Sequence, residues 1–142
     1  AVAEVGEALR YAFGRSAAQD AQILKDLGYG AGSIARMLDD AYNKSARKAA
    51  SILHDIGYGA TSIANALKSA YSATASTVAD ILHDIGYSAY TVIGVLDGVY
   101  DLAQSSIEST IADAGYGFAE AFAAIVAFFG SVTDAFCEIF DC

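Results

Sequence analysis

Residues 53–59 read Leu-His-Asp-Ile-Gly-Tyr-Gly, and the run returns as LKDLGYG at 24–30, LHDIGYS at 82–88 and IADAGYG at 111–117. The central glycines stand at 28, 57, 86 and 115, a constant step of 29 along the chain, and a fixed step of that size marks a tandem repeat. Working outward, Tyr42, Tyr71 and Tyr100 keep the same step, with Phe13 before them and Phe129 after. Leu9, Leu38, Leu67, Leu96 and Ile125 form a second such column. The chain therefore reads as one repeat domain over 1–142. It opens on a half unit at 1–13, continues through units 14–42, 43–71, 72–100 and 101–129, and closes on a half unit at 130–142.

Within the unit 43–71, apolar residues fall at Ala49, Ile52, Leu53 and Ile56, then at Ala60, Ile63, Ala64, Leu67, Ala70 and Tyr71. Both sets follow the i, i+3, i+4, i+7 stripe of an amphipathic helix. Ser16, Ser45 and Thr74 stand where a hydroxyl caps a helix start. Gly28, Gly57, Gly86 and Gly115 stand where the first helix of a unit stops in a left-handed residue. Tyr29, Tyr58, Tyr87 and Tyr116 follow them, and Tyr58 is expected to pack back on Leu53 or Ile52. Gly30, Gly59, Ser88 and Gly117 can then cap the second helix, with Gly117-x-x-Glu120 resembling a capping box. Behind each second helix come Gly14, Asn43, Ser72, Asp101 and Gly130, several of them types that tolerate positive φ. The expectation is an all-α fold of tandem helical hairpins, ten short antiparallel helices of about eleven or twelve residues, each ~17 Å long. They are stacked as an α-solenoid, with a compact closed bundle of the same hairpins as the competing arrangement. The unit resembles helical-hairpin repeats of the GY(S/G)xxxIAxxL type found in bacterial repeat proteins, and the resemblance implies a fold and no activity.

At 142 residues the chain is long enough to bury a core, and its 55% hydrophobic content, against 18% charged, excludes disorder. Pro is absent, so the 13 glycines must supply the breaks. A net charge of −9 argues against nucleic acid, whose phosphates demand a basic face. The layout of charge says more. All eight Lys and Arg lie between Arg10 and Lys68, where seven acids precede or accompany them; after Lys68 there are ten acids and no base. Such asymmetry suits head-to-tail self-association or a cationic partner, and the plain alternative is solubility. A membrane-spanning helix needs roughly 20 consecutive apolar residues. No uncharged run comes near that length, so no transmembrane span is expected, although peripheral lipid contact stays open. No basic leader opens the chain, and the apolar start at Ala1 fits cleavage after a signal peptide, which leans toward secretion.

Candidate sites are few. Asp26, Asp55, Asp84 and Asp113 share one column near the negative end of a helix dipole, where a carboxylate costs ~0.3–1 kcal/mol. A bond to the adjacent unit would offset that, and a cation-binding ladder is the sharper alternative. His54 and His83 share the preceding column with Lys25 and Ala112 and read as solvated surface residues. A His83–Asp84 dyad fails because adjacent helical residues do not face each other. There is no GxxxxGK[ST], no HExxH and no EF-hand loop, so no enzyme, cofactor or metal is expected. Tyr11 and Tyr90 fall off the repeat columns and read as exposed contacts. Cys137 and Cys142 can pair with each other, link two chains or stay as thiols.

The C-terminal stretch GFAEAFAAIVAFFGSV followed by AFCEIF is apolar nearly all round. Such a helix is buried, either inside the fold or against a partner. Phe118, Phe122, Phe128, Phe136 and Phe140 form the expected contact set. The functional expectation is a non-enzymatic structural or protein-interaction module that self-associates through its ends as a homo-oligomer or filament, or binds another protein. The alternative is a protein that binds lipid or another hydrophobic ligand.

Overall fold

The structure, a computed structural model, describes residues 2–13 and 16–141. Among them all regular structure is α-helical. The helices are α1 Val2–Phe13, α2 Ala17–Asp26, α3 Ala31–Asp40, α4 Ala46–Asp55 and α5 Ala60–Tyr71, then α6 Ala75–Ile85, α7 Ala89–Gly98, α8 Gln104–Asp113, α9 Phe118–Phe129 and α10 Asp134–Phe140. Most run to 10–12 residues and α10 to only 7.

The chain divides into two compact units, Ala1–Ala73 and Thr74–Cys142. In the first, each helix packs on the next and on the next but one, so α1, α3 and α5 line one layer and α2 and α4 the other. The second unit repeats the scheme with α7 and α9 in one layer and α6, α8 and α10 in the other. Within each unit this is the neighbour-on-neighbour stacking of a helical repeat array.

The expected apolar stripes form the two cores. Leu24, Ile34, Leu38, Leu53, Ile63 and Leu67 are fully covered in the first unit, and Ile81, Leu82, Ile93 and Leu96 in the second. Burying each such side chain contributes about 1.5–3 kcal/mol relative to leaving it exposed. Alanines at Ala21, Ala35, Ala49, Ala50, Ala64 and Ala79 are equally covered, and their small size lets helix axes approach. At Gly6 of α1 the missing side chain makes room for Met37 of α3, whose Cγ an added Cβ would overlap.

Punctuation follows the sequence reading closely. The hydroxyls of Ser16, Ser45 and Thr74 accept from the backbone N–H three residues on, at Gln19, Lys48 and Thr77. Ser16 also closes a full capping box, its N–H donating to Gln19 Oε1 at 3.0 Å. Gly28, Gly57, Gly86 and Gly115 hold φ of 96°, 104°, 114° and 99°. At the first three the Schellman ring closes: Tyr29, Tyr58 and Tyr87 donate N–H to the Leu24, Leu53 and Leu82 carbonyls, each at 3.0 Å. Asn43, Ser72, Asp101 and Gly130 all have positive φ, while Gly14 lies outside the described residues.

One cap differs from expectation. Gly117 receives no side-chain bond, because Glu120 turns away from its own helix start. Its Oε2 instead accepts the N–H of Ala89 at 3.0 Å, satisfying an open donor at the start of α7. The neighbouring helix end offers the carboxylate the same positive dipole as its own.

Gly86 and Gly94 should respond oppositely to alanine. At Gly86, φ of 114° makes Gly86→Ala cost about 1–2 kcal/mol. Within α7, Gly94→Ala places its Cβ in ordinary contact with Phe128, 3.9 Å away, and should gain about 0.5–1 kcal/mol. Urea unfolding of the two variants measures both signs.

Candidate functional site

The repeated Tyr after each glycine ties hairpin to hairpin. Tyr58 O–H donates to the Tyr29 carbonyl at 2.8 Å, and Tyr116 O–H to the Tyr87 carbonyl at 2.5 Å. Each ring also carries a residue of the column that holds His54 and His83. The Lys25 ammonium lies 5.2 Å from the centroid of Tyr58 and donates to the Ile56 carbonyl. The His83 ring meets Tyr116 edge-on, centroids 4.5 Å apart and planes at 84°. These columns are fastenings between neighbouring hairpins.

His54 is exposed, as expected, whereas His83 is half-buried, and each leans toward the aspartate that follows it. Nδ1 of His54 is 3.6 Å from Asp55 Oδ1, and Nδ1 of His83 is 3.5 Å from Asp84 Oδ1. Adjacent side chains thus come closer than the helical spacing argument allows, because an imidazole on the last turn of a helix has room to swing. Asp26 accepts from Gln22 Nε2 at 3.0 Å. Each of these three aspartates finds a partner on its own helix, whereas the hydroxyls of Tyr58 and Tyr116 go to carbonyls. Among the described residues no three His, Cys, Asp or Glu side chains are grouped to hold a metal ion.

Two fully buried carboxylates escape the periodicity argument. Asp20 on α2 accepts the hydroxyl of Tyr42, whose ring lies 5.3 Å from the Arg10 guanidinium. Arg10 Nη1 also donates to the Ala41 carbonyl at 2.9 Å, so this cluster pins α1, α2 and the end of α3 together. Asp20 Oδ1 has no hydrogen-bond partner among the described residues. Glu108 on α8 accepts the Thr133 N–H at 2.9 Å, the Thr133 hydroxyl, and Gln104 Nε2 at 3.4 Å. It caps α10 from another helix. The signal for both was in the columns: Asp20 stands with Ala49, Val78, Ile107 and Phe136, and Glu108 with Ala21, Ala50 and Ala79.

The C-terminal aromatic set separates into two groups. Phe118, Phe122, Phe136 and Phe140 come together, with ring centroids 4.6–5.9 Å apart. Phe136 is fully buried, so part of the set is internal packing between α9 and α10. Phe128 lies elsewhere, 5.8 Å from Tyr90 on α7. Phe118 at 46% exposure, Phe122 at 40% and Ile139 at 44% leave an open apolar surface on α9 and α10. Tyr11 and Tyr90 are exposed as expected; Leu27, which the sequence reading does not single out, is exposed too. Cys137 is disulfide-bonded, and Cys142, named with it as a possible pair, lies outside the described residues. No helix is long and apolar enough to cross a membrane among the described residues.

Burial pushes the Tyr42, Tyr71 and Tyr116 phenols up to about 12, with nearby Asp20, Asp39 and Asp40, and Glu120 respectively adding to the effect. At Tyr42 the Arg10 charge pulls the other way. The ordinary value is 10.0, so between pH 10 and about 12 these phenols ionise in the unfolded chain but stay protonated in the folded one. Stability is then full below pH 10 and falls as pH rises toward 12. Phenolate absorbance should rise together with loss of helix across that window. Replacing the buried cap tests the second carboxylate. Glu108→Leu strands the Thr133 N–H at a cost of about 1–3 kcal/mol, and amide exchange should quicken across 131–141 while α2–α5 keep their protection.

The chain matches no family model, no curated protein and no solved structure.

Proposed function

We propose that this chain is a non-enzymatic structural and protein-interaction repeat module that self-associates through its ends. The observation that carries the reading is the open apolar surface of Phe118, Phe122 and Ile139, set in a unit with no Lys or Arg. Large aromatic side chains left accessible together mark association surfaces more often than catalytic ones. The titratable groups support the same view, since Asp20, Glu108 and Glu120 serve as acceptors for hydroxyls and backbone N–H groups within the fold.

The same patch would also suit lipid, and the acidic unit argues against it. Ten acids without a base are repelled by the negative surface of an anionic bilayer. Light scattering over a concentration series tests the proposal. The mass should climb above the 14.7 kDa of one chain as concentration increases. Phe118→Asp and Phe122→Asp should return it to that value with the helical circular dichroism unchanged. A strict monomer that floats with phosphatidylcholine vesicles would overturn self-association in favour of lipid binding.

A further inference from the structure

We infer that the open face of α9 and α10 receives the N-terminal unit of a second copy of this chain, and not the same face of that copy. This rests on the self-association proposed above and names its partner.

The face has the character of a surface meant to be covered by a helix. Phe118 falls in one repeat column with Ala31, Ala60 and Ala89, and all three are at most 8% exposed. Phe122 falls in another with Ala35, Ala64 and Ile93, and these are fully covered. Ile139 shares a column with Ile23, Ile52, Ile81 and Thr110, of which Ile52 and Ile81 are buried and the other two half-buried. Positions that α3, α5 and α7 close with smaller residues are open on α9 and hold large aromatic ones.

Charge decides which surface of the second copy fits. Exposed Glu120, Asp134, Glu138 and Asp141 lie on or beside the same two helices, and residues 74–142 hold ten acids and no Lys or Arg. A two-fold contact of this face with itself would set those acids against their own images, with no base to offset them. Residues 1–73 carry all eight basic residues against seven acids, with Arg36 and Lys48 exposed, and expose the apolar side chains of Tyr11 and Leu27. A contact between the two different units therefore can set exposed bases such as Arg36 and Lys48 against those acids and offers apolar surface as well. Such a heterologous contact leaves one free surface of each kind on any assembly that does not close into a ring, so an open assembly grows past two chains.

Sedimentation velocity at two salt concentrations, with a mixing experiment, tests this. At about 0.01 M salt, where the Debye length is about 30 Å, species above twice the chain mass should form, and at about 1 M, where it is about 3 Å, they should dissociate. Phe122→Asp spoils only the acidic face, and the Arg36→Glu/Lys48→Glu pair spoils only the basic one. Each variant alone should be monomeric, and the two mixed should form a complex of one chain of each. A species that stops at two chains, tightens as salt rises and persists in the charge-reversed variant would overturn the inference and leave self-association standing. A monomer under every condition would overturn both.

Discussion

A helix of ten or eleven residues gains too little from its own hydrogen bonds to offset the entropy of ordering it. It persists only while its apolar stripe lies against neighbours. The left-handed glycines at 28, 57, 86 and 115 impose that condition, because each one ends a helix before it could become self-sufficient. The rest of the architecture follows from it. Short helices joined by short turns must run antiparallel, and within each unit one then shields the next and the next but one. Alanine lets this happen at close range, and Gly6 leaves room for the Met37 side chain of α3.

The structure was legible in the sequence wherever one residue sufficed to specify local geometry. The serines and the threonine that cap helices, the glycines that end them and the Asn43, Ser72 and Asp101 turns could each be assigned from residue type and position. The aromatic set was legible as a set but not as a surface. Phe136 faces inward, Phe118 and Phe122 stay open, and Phe128 joins Tyr90. Composition cannot separate these fates, because all are phenylalanines within two neighbouring helices, and only packing decides which ring is covered. Glu120 misled for a related reason: a capping motif defines an acceptor, and an adjacent helix start competes for it on equal terms.

Asp20 and Glu108 show what strict periodicity conceals. A buried carboxylate costs several kcal/mol unless its oxygens are matched, so each occurs where the chain has donors to place. Glu108 meets the donors of Thr133 and Gln104; Asp20 meets Tyr42 and keeps one oxygen unmatched among the described residues. Apolar side chains in those columns would slide between registers at little cost. A carboxylate cannot, since moving by one turn would leave it without its hydroxyl. The two acids thus make bonds that the other members of their columns do not, in stacks of otherwise similar parts.

The links from Tyr58 and Tyr116 end on main-chain oxygens. A carbonyl is present whatever side chain the residue bears, so the acceptor survives almost any substitution there. Only the donor must be kept, and it travels within the hairpin that uses it. A duplicated hairpin therefore arrives with its own latch and needs no matching change in the segment it joins. Arrays of this design can lengthen or shorten by whole hairpins without first evolving a new join.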